Sequence, residues 1–315
     1  MNSIEVNKLT KKFGKFIAVN GISFNVKEGE IFGFLGANGA GKSTVIRMLC
    51  GIIEPTTGDA LVGGFSIMKD PDSVKKMIGY MSQKFSLYND LTVEENINFF
   101  GGVYGLYNSR LAERKKWVLK VAYLEGKEKL LTASLPGGIK QRLALAIAVI
   151  HQPKIVFLDE PTGGVDPISR RNFWDLINDL SQSGVTVFVT THYLDEAEFC
   201  NTITMISAGN IIASGSSKEL KTNYLKNTIL EVECERVVDA LDVLSKERWV
   251  DETSIFGNYI HVSVNDEIMG RKQIEQVLTE ERSIHIKRID KIVPTLEDVF
   301  IYLLEKDAKE NVQQN

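Results

Sequence analysis

The segment GANGAGKST, Gly36 to Thr44, spaces Gly36, Gly41, Lys42 and Ser43 as GxxxxGK[ST]. Glycines in such a run let the backbone curl until several N–H groups point inward as an anion nest. The helix that follows adds the positive end of its dipole. Asn38, Gly39, Ala40 and Thr44 complete the loop. Lys42 offers a charge to the β- and γ-phosphates of a nucleotide, and Ser43 a hydroxyl to Mg²⁺. Further along, IVFLDE closes an apolar run with Asp159 and Glu160. Carboxylates at the end of a buried strand lie where open α/β sheets hold ligands. Asp159 would hold Mg²⁺, directly or through water, and Glu160 would polarise an attacking water as a general base, worth ~10²–10⁴ in rate. Taken alone, the loop could be a chance turn and the carboxylates a solvated acidic pair.

The elements around these residues supply the context. GEIFGFLG, before the loop, is a nearly continuous apolar run, which suits a strand buried on both faces of a mainly parallel sheet. Strands are expected at IEVNKL, GISFNV, ALVGGFSIM and IGYMSQ. Residues 92–130 read as helical, with Thr92 and Glu95 spaced as a capping box. Then KIVFLD, SRRNFWDLINDLSQ, VTVFVTT, LDEAEFC, TITMIS and NIIASG alternate strand and helix before the closing strands, which argues for an α/β core with an inserted helical subdomain at about 84–150. The expected division is a nucleotide-binding domain over 1–220, a small α+β domain over 221–305 and a polar, disordered tail over 306–315. In the second domain TILEVECE, NYIHVSV and SIHIKRI read as strands, and RVVDALDVLSKE, RKQIEQVLTEE and TLEDVFIYLLEK as helices.

Composition narrows the class. The chain has 315 residues, 43% hydrophobic and 25% charged, as expected of a globular protein with a real core. A formal net charge of −4 recruits no nucleic acid and no acidic lipid. The basic run RLAERKKW, Arg110 to Trp117, reads as a solvated helix face. Cys50, Cys200 and Cys234 are dispersed without a CxxC or Cys/His cluster, so zinc is not indicated and reduced thiols are. The N-terminus lacks the apolar core of a signal peptide. No apolar stretch approaches the ~20 residues that cross a bilayer, so any membrane path must come from another chain.

The order of the motifs carries a resemblance. The phosphate loop, Gln83 in YMSQKF, LPGGIKQR, FLDEPT, GGVDP and TTHYLDEAE resemble the ATP-binding subunit of ABC (ATP-binding cassette) transporters over roughly residues 1–220. The resemblance implies that Phe13 stacks on adenine. It implies that Gln83 touches Mg²⁺ or the water, and that His192 hydrogen-bonds the γ-phosphate as a switch. Asp166 is implied to communicate across a dimer, although it also fits a helix cap before PISRR. Two ATPase domains are implied to pack head to tail, each ATP lying between one phosphate loop and the other chain's signature. GSSKELK and PTLEDVFIYLLEK are similar to the ATPases of bacterial type-2 exporters, a group that includes drug- and antibiotic-resistance pumps. That implies a membrane-spanning permease partner and a cytoplasmic place on the inner face of the membrane.

The signature departs from the family's usual Leu-Ser-Gly-Gly-Gln: here it is Leu135, Pro136, Gly137, Gly138 and Ile139. The glycines keep their N–H groups, but a hydroxyl donor to a charged phosphate is gone. Such a bond is worth roughly 1.5–3 kcal/mol, on the order of 10- to 100-fold. A homodimer would carry two weakened sites; a heterodimer would carry one strong and one weak. A regulatory subunit with weak or no hydrolysis is the alternative function. A GTPase is disfavoured because NKLT at 7–10 is not a guanine-reading NKxD, and it precedes the loop. DNA-maintenance ATPases of this type need long heptad segments, which are absent between loop and signature. Translation-associated factors carry two phosphate loops, and this chain carries one.

Overall fold

IFGFL, IVFLD and TVFVTT form the strands Ile31–Leu35, Ile155–Asp159 and Thr186–Thr191, and every residue in them is buried. Unbroken apolar or threonine-rich runs of this length can be solvated on neither face, so they settle in the middle of a covered parallel sheet. The computed structural model describes residues 1–83, 87–225 and 227–313 and divides into two compact units, Met1–Ser214 and Gly215–Asn315. In the first unit a six-stranded sheet runs in the order Asn210–Gly215, Thr202–Ser207, Ile31–Leu35, Thr186–Thr191, Ile155–Asp159, Ile78–Met81. The pairs from Thr202–Ser207 through to Ile78–Met81 are parallel. A second, antiparallel sheet joins Phe16–Lys27, Asn2–Phe13, Thr57–Val62 and Phe65–Ser66.

Between the two sheets lies the main core. Phe24, Phe32, Phe34, Phe157 and Phe188 pack ring on ring, with Phe32 and Phe188 centroids 5.3 Å apart. Helix Lys42–Leu49 turns Val45, Ile46, Met48 and Leu49 into this cluster. Fully burying one such side chain stabilises by about 1.5–3 kcal/mol, so the helix that begins at the phosphate loop is anchored from below.

The stretch between Ile78–Met81 and Ile155–Asp159 holds helices Val93–Val103, Asn108–Val121 and Gly137–Ala148. Lys84–Ser86, where the helical subdomain was expected to begin, lie outside the described residues. Thr92 and Glu95 form the expected capping box. The basic run is less solvated than its charge suggests. Arg114 donates to the Ile150 carbonyl at 2.7 Å and lies 4.2 Å over Trp117, and Lys115 pairs with Glu94 at 2.7 Å. A long basic side chain can cover apolar surface with its stem while its head finds carbonyls.

The second unit is built on an antiparallel sheet ordered Val250–Phe256, Tyr259–Val264, Thr228–Cys234, Ile286–Ile292. Helices Ser217–Tyr224, Val237–Leu244, Glu267–Glu275 and Leu296–Gln313 belong to this unit, as does a π-helical turn, Gln276–Glu281. The unit begins at Gly215 and includes helix Ser217–Tyr224. Val250–Phe256 was not anticipated. Its charges at Asp251 and Glu252 hide the alternation, and Gly257 at φ 59 makes the hairpin turn that pairs it with Tyr259–Val264. The last helix runs to Gln313, into the segment expected to be a disordered tail; Ala, Lys, Glu and Gln there are good helix formers. Its buried Asp298 lies 2.7 Å from His261 Nδ1 on the sheet. Among the described residues, no helix is long and apolar enough to cross a membrane.

Candidate functional site

The carboxyl ends of Ile31–Leu35, Thr186–Thr191, Ile155–Asp159 and Ile78–Met81 lie side by side, with Leu35 opposite Thr191, Thr190 opposite Asp159 and Leu158 opposite Met81. The chain leaves these ends as Gly36–Lys42, His192, Glu160 and Gln83. Parallel register therefore brings residues far apart in sequence onto one edge, the edge on which open α/β sheets bind ligands. Of these, Lys42, Gln83 and Glu160 line a cleft of about 470 Å³ with Phe13, Phe16, Ala18, Asn38, Gly39, Gly41, Ser43 and Thr44.

The loop has the conformation its glycines allow. Gly39 and Gly41 sit at φ 83 and 111, and Gly41 caps helix Lys42–Leu49 with no side chain of its own. A Cβ on Gly41 would come within 2.5 Å of the Ala18 carbonyl, and one on Gly36 equally close to that of Ile206. Nothing larger than glycine fits at either place.

Lys42 is 4% exposed, and its Nζ lies 2.7 Å from the Gly36 carbonyl, 3.1 Å from that of Ala37 and 3.0 Å from Glu160 Oε1. Glu160, 8% exposed, also accepts a hydrogen bond from Gln83 Nε2 at 3.0 Å. His192 Nδ1 stands 3.3 Å from Glu160 Oε2 without hydrogen-bond alignment. Glu160 itself occupies the left-handed region at φ 46, a conformation that costs a non-glycine residue about 1–2 kcal/mol. Its N–H is fixed there by the Thr190 carbonyl at 3.1 Å and the Thr190 hydroxyl at 3.0 Å. Strain of this kind persists where the surroundings dictate it, and active sites are where it collects.

Beside this pair, Ser43 Oγ donates to Asp159 Oδ1 at 3.0 Å, and Thr190 Oγ1 donates to the same oxygen at 2.8 Å. The Ser43 hydroxyl and the Asp159 carboxylate, side by side, are oxygen donors of the kind a hard divalent cation takes. Among the described residues no group of His, Cys, Asp and Glu could hold a metal unaided. One or two such protein oxygens, together with waters and phosphates, are the usual ligands of Mg²⁺.

Phe13 is 51% exposed at the mouth of the cleft, with Lys11 Nζ 5.2 Å from its ring centroid. Its ring is available for stacking because no core claims it. The remaining sequence-derived residues lie elsewhere. Leu135–Ile139 do not line the cleft: Pro136 is the N-cap of helix Gly137–Ala148, its carbonyl accepts the Lys140 N–H at 3.0 Å, and no side chain caps the end. Gly137 is exposed and open space surrounds its missing Cβ, whereas a Cβ on Gly138 would collide with Ser169. Asp166 is exposed and caps helix Pro167–Gln182 by accepting the Ser169 N–H at 2.9 Å. Those hydrogen bonds from Ser169 hold the Asp166 carboxyl below its ordinary range.

Thr190 and Glu196 lie within TTHYLDEAE, where only His192 had been given a role. Thr190 joins Asp159 to the Glu160 backbone; the second threonine at the end of an all-buried strand was the available signal. Glu196 is fully buried among Thr162, Thr191 and Arg170.

Two family descriptions match the chain: "ABC transporter" over residues 19–163, and "ATP-binding protein DrrA1-3-like, C-terminal domain" over residues 215–303. The linearmycin resistance ATP-binding protein LnrL of Bacillus subtilis (strain 168) is 32% identical over 311 residues, 98% of this chain and 100% of that protein. The probable multidrug ABC transporter ATP-binding protein YbhF of Escherichia coli (strain K12) is 51% identical over 218 residues. Those residues are 69% of this chain and 38% of YbhF, so the chain spans well under half the length of that relative. Among solved structures, the ATP-binding cassette MJ0796, a dimer in a post-hydrolysis state with ADP and Pi, matches with a TM-score of 0.62 and 29% identity. That match covers 68% of this chain and 98% of the other.

Proposed function

Because the chain belongs to the ATP-binding proteins of ABC transporters, with the C-terminal domain of the DrrA-like group, we propose that it is the ATP-hydrolysing subunit of an exporter and drives a separate membrane-spanning permease. Its relatives' names, linearmycin resistance for LnrL and probable multidrug transport for YbhF, support export. The observation that carries the enzymatic part is the convergence of Lys42, Gln83 and His192 on the single carboxylate of Glu160, next to the Ser43–Asp159 pair.

In this reading Phe13 stacks on adenine, and the loop Gly36–Thr44 surrounds the phosphates with N–H groups. Lys42 turns from Glu160 to the β- and γ-phosphates. Ser43, Asp159 and Gln83 would hold Mg²⁺, which when bound neutralises phosphate charge. Glu160, freed from Lys42, accepts the proton of the attacking water, and His192 donates a hydrogen bond to the γ-phosphate. Positioning and charge neutralisation are most of what phosphoryl transfer asks of a protein.

The uncapped start of helix Gly137–Ala148 does not line this cleft, which suits a phosphate held by a second ATPase domain. Asp166, which caps helix Pro167–Gln182, would also communicate across the pair. The subunit would then sit at the cytoplasmic face of the membrane through its permease. ATP hydrolysis by the purified chain with its permease, measured beside Lys42→Ala, tests the proposal: a rate equal to the variant's overturns it. The missing side-chain cap at Pro136 favours a second reading, a regulatory subunit with weak hydrolysis in an asymmetric pair. That reading gains if Pro136→Ser restores a rate the natural chain lacks.

A further inference from the structure

Glu196 lies in the short helix Leu194–Ala197, just past His192, and is 0% exposed. Its carboxylate accepts hydrogen bonds from Thr162 Oγ1 and, at 2.8 Å, from Thr191 Oγ1. Arg170 Nε lies 3.4 Å from its Oε1. These partners come from different elements. Thr162 is in the turn between Glu160 and Asp166, Thr191 ends the strand before His192, and Arg170 is in the first turn of the helix that Asp166 caps, its N–H 2.9 Å from the Asp166 carbonyl.

The same partners hold both sides of His192. Thr191 Oγ1, while donating to Glu196, accepts the Tyr193 N–H at 2.9 Å. The Arg170 guanidinium lies 4.2 Å over the Tyr193 ring, whose centroid is 4.1 Å from that of His192. The groups that bond or pair with the Glu196 carboxylate are donors or a cation, which favours the ion, while the Asp195 carboxylate beside Arg170 opposes it. Burial first, and the Asp195 carboxylate with it, push its carboxyl up; the two hydroxyls and Arg170 oppose that in part. A buried charge so placed is costly unless its geometry is kept, which makes it a stiff joint.

We propose that Glu196 is a positioning residue for hydrolysis: through Thr191 and the Arg170–Tyr193 stack it sets His192 beside Glu160, and through Thr162 it ties that setting to the loop bearing Asp166. The inference rests on the ATPase reading above. A displacement of about 1 Å at a reacting group can cost on the order of 10²-fold in rate. Glu196→Ala is therefore expected to lower kcat about tenfold or more while KM for ATP stays within about twofold, the mark of an interaction made in the transition state. Glu196→Gln keeps one acceptor oxygen and the side chain's shape, and is expected to retain part of the rate. It is also the variant to read if Glu196→Ala fails to fold.

The test uses the full chain with labelled histidine. The His192 ring signal is assigned by its loss in His192→Ala. Glu196→Gln is expected to displace that signal and leave those of His151, His261 and His285 in place, with kcat lowered and KM unchanged. A His192 signal at its natural position, or a loss of rate no larger than the loss of folded protein, overturns the proposal. A natural chain no faster than Lys42→Ala would instead count against the ATPase reading, and the His192 signal would still decide the role of Glu196.

Discussion

Gly36–Lys42 and Leu135–Gly138 each bring glycines to the start of a helix, and the two starts are finished in opposite ways. At the first, Gly41 takes a left-handed turn, Lys42 is buried, and its ammonium is held by two loop carbonyls and Glu160. The site holds a carboxylate where it would take phosphate oxygens. At the second, Pro136 is the N-cap, no side chain satisfies the helix end, and Gly137 is exposed with nothing near its Cβ position. The first is preorganised within the chain; the second offers donors that only an outside group can use. Uncapped N–H groups at a helix start favour an anion. On the proposed reading, the difference divides the chemistry: one half belongs to this chain and the other half is presented to a neighbour.

Breaking the first start has the largest expected effect. Lys42→Ala should reduce hydrolysis about 10³-fold, the scale for removing a preorganised charge-stabilising donor. It also deprives buried Glu160 of its cation, so the free protein should lose about 3 kcal/mol or more of stability and melt at a lower temperature. Steady-state phosphate release and a thermal melt check the two parts. Next comes Glu160→Gln, expected to slow hydrolysis ~10²–10⁴-fold as the general base is lost. Because the variant also removes an anion from the place the γ-phosphate would take, ATP should bind at least as tightly as to the natural chain; a nucleotide titration measures this.

Changes at the second start sharpen the contrast. Pro136→Ser introduces a hydroxyl where the helix has no cap and the partner's phosphate has no hydroxyl donor. The cap should add about 1 kcal/mol of stability. The trans contact should raise the hydrolysis rate on the order of tenfold. Higher stability without a higher rate would mean that the hydroxyl serves only the helix.

A third helix start gives the smallest effect. Asp166 caps Pro167–Gln182, and Ser169 holds its carboxyl below the ordinary range. A lowered folded-state value means that the cap contributes fully above the ordinary aspartate range and is lost as pH falls through the lowered value. Asp166→Asn should keep the cap and flatten this acid-side loss in melts taken across the carboxylate range.

The loop and the Asp159–Glu160 pair were legible because their spacing is local and their flanks are apolar strands. The core sheet was legible for the same reason: IFGFL, IVFLD and TVFVTT leave a strand little alternative. What the sequence hid depends on register. Thr190 reaches Asp159, and Glu196 reaches Thr162, only because parallel strands place them so, and no spacing rule connects them. The capping role of Pro136 was hidden as well. A proline before two glycines suits the first helical turn, yet its carbonyl, bonded to Lys140, makes it the residue before that turn. Val250–Phe256 is a strand because the Gly257 turn folds it against Tyr259–Val264, not because its residues alternate.

The most direct test of the divided site is complementation in ATP hydrolysis. Gly137→Asp puts a negative charge at the open helix start, where a side chain meets nothing in its own chain, so its fold and its ATP binding should stay natural. If the two halves meet across a homodimer, Lys42→Ala and Gly137→Asp should each be inactive alone. Mixed, they should regain activity, because a mixed pair rebuilds one site from the loop of one chain and the signature of the other. Hydrolysis by Gly137→Asp alone at the natural rate would contradict the account: the signature of this chain would then have no part in the reaction.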